Sequence, residues 1–97
     1  MEFRVLNRVE SYNNNSGRIN EIASYNGKKF KLIADIHNGG KVLKAELMDK
    51  EGIFQFVLGS ADVNFEYSAS YVSSRIDKAL NLEQALNELK KVIKKVY

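Results

Sequence analysis

The chain has no cysteine, no proline, no tryptophan and a single histidine among its 97 residues. Without cysteine there can be no disulfide, no thiolate nucleophile and no thiolate zinc site. With His37 alone beside the carboxylates, a metal site would rest on oxygen ligands. The pair Asp49-x-Glu51 is too sparse for a hard-cation loop, which draws several oxygens from a longer segment. No metal and no cofactor is therefore expected. The missing prolines leave no stiff linker, so residues 1–97 read as one domain. No apolar run approaches the ~18 residues of a membrane-spanning helix. The opening MEFRVLNRVE lacks such a run as well, so the expected address is cytoplasmic with no membrane partner.

Charge of one sign is also scarce. The formal net charge is +3, and the excess is spread thinly. Residues 1–31 carry six basic and three acidic side chains, residues 32–81 five and seven, and residues 82–97 four and two. This falls short of the clustered Lys and Arg of a dedicated nucleic-acid binder.

What the chain does have is punctuation. Asn26-Gly27, Asn38-Gly39-Gly40 and Asp49-Lys50-Glu51-Gly52 cut residues 18–58 into short alternating segments. Asn-Gly suits a two-residue hairpin turn whose central residues both need positive φ. Placing the first two turns there makes the register arithmetic: Phe30 faces Leu47, Leu32 faces Ala45, Ala34 faces Leu43 and Lys31 faces Glu46. Apolar meets apolar and cation meets anion, so turn chemistry and side-chain pattern agree. Upstream, Phe3, Val5 and Val9 alternate with Arg4, Arg8 and Glu10, which predicts a first strand with one apolar and one charged side. Tyr12 to Gly17 reads as a loop.

The third turn admits two forms. A type I turn with Gly52 in a left-handed bulge position pairs Asp49 with Ile53. Phe54, Phe56 and Leu58 then point away from Leu43, Ala45 and Leu47. A plain two-residue loop puts them on the same side, because one residue of slip inverts a strand. In the bulged form a second apolar face gathers Ile22, Ile33, Val42, Met48, Phe54 and Phe56, more than one helix can cover on two sides. Such a remainder suits a partner.

Residues 62–70 alternate again and predict a sixth strand. From about Ser74 the spacing turns helical. Leu82, Leu86, Leu89, Ile93 and Val96 form a stripe that Val72, Ile76 and Ala79 extend backward. Ser74 and Asn81 each start a capping-box pattern, with Leu80 as a staple before the second. Two forms follow for about 74–96: one long helix starting as early as residue 71, or a short helix, a break at Asn81 and a longer helix, the second being the expected one. The fold class is thus α+β: an antiparallel β-meander of five to six strands (about 2–11, 18–25, 29–37, 41–49, 53–58 and 62–70) with a C-terminal helix on one face. No family signature emerges.

Candidate chemistry is thin. His37 beside Asp35 at a hairpin flank reads as an exposed histidine, since a general base needs a cleft and a positioned partner. Glu21 points inward if its strand is regular, where a buried carboxylate could do acid–base work. A bulge or a sheet edge at that position is the plainer reading. His37-Asn38-Gly39-Gly40-Lys41 lacks P-loop spacing and a following helix. No catalytic residue is assigned, and an enzyme is not expected.

Two binding readings remain. The first is a protein that acts by binding another protein or a second copy of itself, through Ile33, Met48, Phe54 and Phe56. The alternative is a nucleic-acid module. Its cations would be Arg4, Arg8, Lys29 and Lys31 on the sheet, near Tyr12 or Tyr25, or Lys90, Lys91, Lys94 and Lys95 at the helix end. Cations in the last helical turns also complement the helix dipole, as Glu83 and Glu88 do nearer its start.

Overall fold

The computed structural model describes residues 2–37, 40–65 and 74–97. Five strands follow in order: β1 (Arg4–Asn13), β2 (Ser16–Tyr25), β3 (Lys28–His37), β4 (Gly40–Met48) and β5 (Phe54–Gly59). A 3-10 turn at Ser60–Asp62 and helix α1 (Arg75–Val96) complete them. The strands form one antiparallel sheet in sequence order, and α1 packs across β2, β3 and β4. This is the α+β meander with a C-terminal helix that the turn spacing predicts.

The second hairpin holds its predicted register through Phe30–Leu47, Leu32–Ala45, Ala34–Leu43 and His37–Gly40. Its turn residues, Asn38 and Gly39, lie outside the described residues. Asn26 and Gly27 take φ of 52° and 75°, the positive values a two-residue primed turn demands. The segment Tyr12–Gly17, read as a loop, is instead mostly strand. Asn13 pairs with Ser16 around a two-residue turn at Asn14-Asn15. Gly17 is buried there because the Tyr12 ring and Leu82 crowd it: a Cβ would stand 3.0 Å and 3.1 Å from them.

The third turn takes the bulged form. Asp49 N donates to Ile53 O at 2.8 Å, Gly52 N donates to Asp49 O at 3.1 Å, and Gly52 has φ 82°. The Asp49 carboxylate braces it, accepting from Glu51 N and Ile53 N at 2.9 Å each. These bonds hold its pKa below the usual carboxylate range, the one from Ile53 most of all. Phe54 then pairs with Met48 and Phe56 with Glu46, on the side away from the helix. Leu58 does not follow them. A second irregularity inserts Val57 between Phe56 and Leu58, so Leu58 pairs with Ala45 and returns to the core.

The core lies between α1 and the inner sheet face. Ile19, Phe30, Leu32, Ala34, Ile36, Leu43, Ala45 and Leu58 meet Leu82, Ala85, Leu86, Leu89 and Ile93. Burying each large aliphatic or aromatic side chain contributes roughly 1.5–3 kcal/mol. The helix is continuous over 22 residues, without the break predicted at Asn81. There the Asn81 amide donates to Asp77 O at 2.8 Å, four residues back, so this residue bonds within the helix instead of capping a new one. Ser74 alone caps, its hydroxyl accepting from Asp77 N at 3.0 Å.

The buried stripe also differs from its predicted backward extension. Ile76, Leu80 and Val96 are exposed, while Lys78 is buried. The Lys78 ammonium donates to the carbonyls of Asn13 and Asn14, at 2.8 and 3.3 Å, and so ties the helix to the first hairpin. Tyr97 takes the place expected of Val96, its ring edge-on to Phe30 at 5.4 Å. The predicted sixth strand lies largely outside the described residues. Its first part is not strand: Asp62 closes the 3-10 turn and Val63 enters the core.

Candidate functional site

Two places concentrate charge or exposed apolar surface, and they lie on opposite sides of the sheet.

The first is a buried ion cluster under the helix. β2 pairs with β3 without a bulge, so Glu21 does point inward and is fully buried. Arg8 faces it across the strand pair, its Nη1 donating to Glu21 Oε1 at 2.9 Å. Lys90, from α1, places Nζ 2.7 Å from Oε2. That contact is a close charge attraction without hydrogen-bond alignment, so Oε2 lacks an aligned donor. Arg8 also bonds Glu83 of α1, and Glu10 at 3.1 Å. The Glu83 bond holds the Arg8 guanidinium protonated well above its ordinary range. Tyr12 donates to Glu10 at 2.8 Å, lowering that carboxyl, and Arg75 stacks over the Tyr12 ring at 4.8 Å. The cluster clamps edge strand β1 to the helix.

Arg8 is on this side because β1 is irregular. Its register shifts between Val5 and Asn7, with Leu6 as the extra residue. The shift turns Arg8 inward and leaves Val9 outward, 59% exposed. The first strand therefore lacks the simple apolar and charged sides its alternation predicts. Two surface pockets among the described residues reach the rim of the cluster: Tyr12 and Arg75 line one, and Lys90 another. A further pocket, about 610 Å³, lies between Asp62, Asn64 and the last turns of α1, and neither Glu21 nor Asp35 lines any of these.

The second place is the outer sheet face, which no helix among the described residues covers. Strand pairing arranges it in rows. One runs Arg4, Ser24, Lys29, and the next Asn7, Ile22, Lys31, Glu46, Phe56. A third runs Val9, Asn20, Ile33, Lys44, Gly59. Ile33, Met48, Phe54 and Phe56 are all on this face, with unequal access. Ile33 is buried, Met48 and Phe54 are half-buried, and Phe56 is 63% exposed. Val42 adds a further exposed apolar group. The Phe56 ring lies back over Gly59, where only a missing Cβ leaves room.

The candidate cations divide between the two sides. Arg4, Lys29 and Lys31 are on the outer face, whereas Arg8 and Lys90 are committed to Glu21. Lys91 pairs with Glu88 at 3.0 Å and Lys94 with Glu2 at 2.7 Å; Lys95 is exposed. No single track joins the sheet cations to the helix end, because the sheet stands between them. Lys31 faces Glu46 in register but forms no ion pair with it. Glu46 contacts Lys44 at 3.6 Å, and Lys31 Nζ sits 5.0 Å from the centre of the Phe54 ring. Tyr25 is not on the outer face either; it stacks on Phe3 at 4.8 Å beside the core. His37 is exposed, with Nδ1 2.9 Å from Asp35, which also accepts from Arg18.

Among the described residues no helix is long and apolar enough to cross a membrane, and no three metal-ligating side chains converge. Comparison of the chain with protein-family models, with curated proteins and with solved structures finds no match.

Proposed function

We propose that this chain is a non-catalytic binding protein that recognises another protein through the outer face of its sheet. One observation carries the reading. Met48, Phe54, Phe56 and Val42 share a face that the helix does not cover, and Phe56 stays 63% exposed there. Exposed apolar groups on one uncovered face, set among charges such as Lys29, Lys31, Lys44 and Glu46, suit recognition of a partner better than singly scattered ones do. Glu21, the one buried carboxylate among the described residues, is occupied by Arg8 and Lys90, which fits a structural role.

The test is capture of binding partners from a lysate by the wild-type chain and by Val42→Glu, with circular dichroism as the check on folding. Val42 is exposed, so the substitution leaves the core intact. Partners retained equally by both proteins would sink the reading.

A specific observation also favours a nucleic-acid module. Arg4 and Lys29 occupy one row of the outer face and Lys31 the next, with Lys31 against Phe54, and among the described residues none of the three forms an ion pair, although Glu46 stands opposite Lys31. Cations next to exposed aromatics are the ingredients of single-strand binding. Fluorescence anisotropy with single- and double-stranded oligonucleotides separates the two readings. Absence of binding at about 50 mM salt removes this one. Binding whose salt slope falls by roughly 0.7 for each of Lys29→Ala and Lys31→Ala would favour it over the protein-binding reading.

A further inference from the structure

We infer that β5 is a dimerisation edge, along which a second copy of this chain adds its own β5 antiparallel to the first. The inference rests on the outer-face reading only in sharing Phe54 and Phe56.

Among the described residues the sheet ends in two strands with no further neighbour, β1 and β5. Soluble proteins guard such edges with charge, because unpaired backbone groups template further strands. β1 is guarded: it carries Arg4, Arg8 and Glu10, and its register breaks at Leu6. β5 is the only strand of the five without a charged side chain, and the uncharged stretch runs from Gly52 to Ala61. Ile53 and Phe56, 57% and 63% exposed, stand along it.

The backbone is oriented for pairing. Asp49 and Ile53 form a hydrogen-bonded pair. Bonded and non-bonded pairs alternate along an antiparallel ladder, so Leu47–Gln55 is bonded, while Met48–Phe54 and Glu46–Phe56 are not. The N–H and C=O groups of Phe54 and Phe56 therefore point away from β4, towards the open edge. A two-fold axis at Gln55 satisfies them symmetrically, with Phe54 of each copy bonded to Phe56 of the other. Gln55 then stands opposite its own mate. The four phenylalanines gather on the outer face, and each Ile53 meets the other copy's Val57. The irregularity at Val57 limits the paired stretch to about residues 53–57. So short a ladder, extended by the phenylalanines, sits near the low end of specific interfaces and predicts a dissociation constant in the micromolar range.

The absence of cysteine makes the register directly readable. Residues opposite each other in a non-bonded pair have Cα atoms about 4.5 Å apart, within disulfide range. Gln55→Cys should form a covalent dimer on mild oxidation, much faster than Leu80→Cys on the exposed side of α1. Sedimentation equilibrium should show the mass rising with concentration from 11.0 kDa towards twice that value. Phe56→Lys, and independently Gln55→Lys, which sets two lysines face to face, should weaken association at least about tenfold with the circular dichroism spectrum unchanged. A mass of 11.0 kDa at every concentration overturns the inference. So does a dimer in which Gln55→Cys links no faster than Leu80→Cys. Because Val42 lies outside the paired stretch, a negative result here leaves the Val42→Glu test of the outer face standing, and the converse holds.

Discussion

Removing the cations around Glu21 one at a time, and then together, should expose how the edge strand is held. Glu21 is fully buried, whereas the Arg8 and Lys90 side chains keep 26% and 17% of their surface exposed. Breaking a fully buried pair costs about 3–5 kcal/mol, because the surviving charge is left without compensation. Here the partners reach solvent, and each single substitution leaves Glu21 one cation. We therefore expect Arg8→Met and Lys90→Met to cost about 1.5–3 kcal/mol each. The double variant leaves the carboxylate with neither, so its loss should exceed the sum by about 1–2 kcal/mol. A chain of this length is stable by roughly 5–15 kcal/mol in all, so a single loss is visible and the double is severe. Each single variant should lower the melting temperature by roughly 6–24 °C. Replacing Glu21 by Leu in the double background removes the orphaned charge and should recover most of the loss, since apolar packing often matches a buried ion network. Urea unfolding followed by circular dichroism supplies all these values. Additivity of Arg8→Met and Lys90→Met within about 0.5 kcal/mol would refute the account, as would no recovery on adding Glu21→Leu.

Two further outcomes follow from local geometry. Gly52→Ala must place a side chain at φ 82° and should cost about 1–2 kcal/mol by urea unfolding, and Gly17→Ala, crowded by Tyr12 and Leu82, about 1–3 kcal/mol. Wild-type midpoints would contradict the turn and the packing respectively. Burial, together with the bond to Glu10, pushes the Tyr12 phenol up to about 12. A group raised above its unfolded value of about 10 contributes stability in full below that pH and loses it as pH climbs towards 12. Ultraviolet titration should show a late phenolate step that Tyr12→Phe removes, and that variant should lose less stability at alkaline pH; an unchanged titration would count against the Tyr12–Glu10 contact.

Much of the meander is legible without coordinates, for a physical reason. Asn26-Gly27 fixes a turn through φ alone, and the alternation of Phe30, Leu32 and Ala34 against Leu43, Ala45 and Leu47 fixes the register through burial. Both are local rules, and they agree. The stripe Leu82, Leu86, Leu89 and Ile93 is local in the same way. The helix start is less so: Ser74 and Asn81 carry equivalent capping patterns, and only the strands beneath the helix decide between them. A continuous helix puts Lys78 against the carbonyls of the first hairpin and Leu82 against Gly17.

The candidate surface was legible in part. Membership of Phe54 and Phe56 in the outer face follows once Asp49–Gly52 is read as a bulged turn. That Ile33 would be buried on that face, and that Leu58 would leave it, could not be read, because the irregularity at Val57 leaves no mark in composition. The ion cluster was half visible. Glu21 breaks an apolar alternation, which is a signal, but its partners lie 13 and 69 positions away in sequence. Arg8 joins it only because the extra residue Leu6 reverses the faces of β1.

Sequence by itself determined the register of the second hairpin and the core stripe of the helix, since turn chemistry and hydrophobic period act between near neighbours, but neither the first hairpin at Asn14-Asn15 nor the unbroken run of α1 through Asn81. Tertiary structure alone decided which side each charge would take. A single inserted residue inverts a strand, and burial of Glu21 is tolerable only where the fold brings Arg8 and Lys90 to it. The same non-local choice leaves β5, whose lack of charge is written in the sequence, at an edge of the sheet among the described residues, the feature on which the proposed association rests.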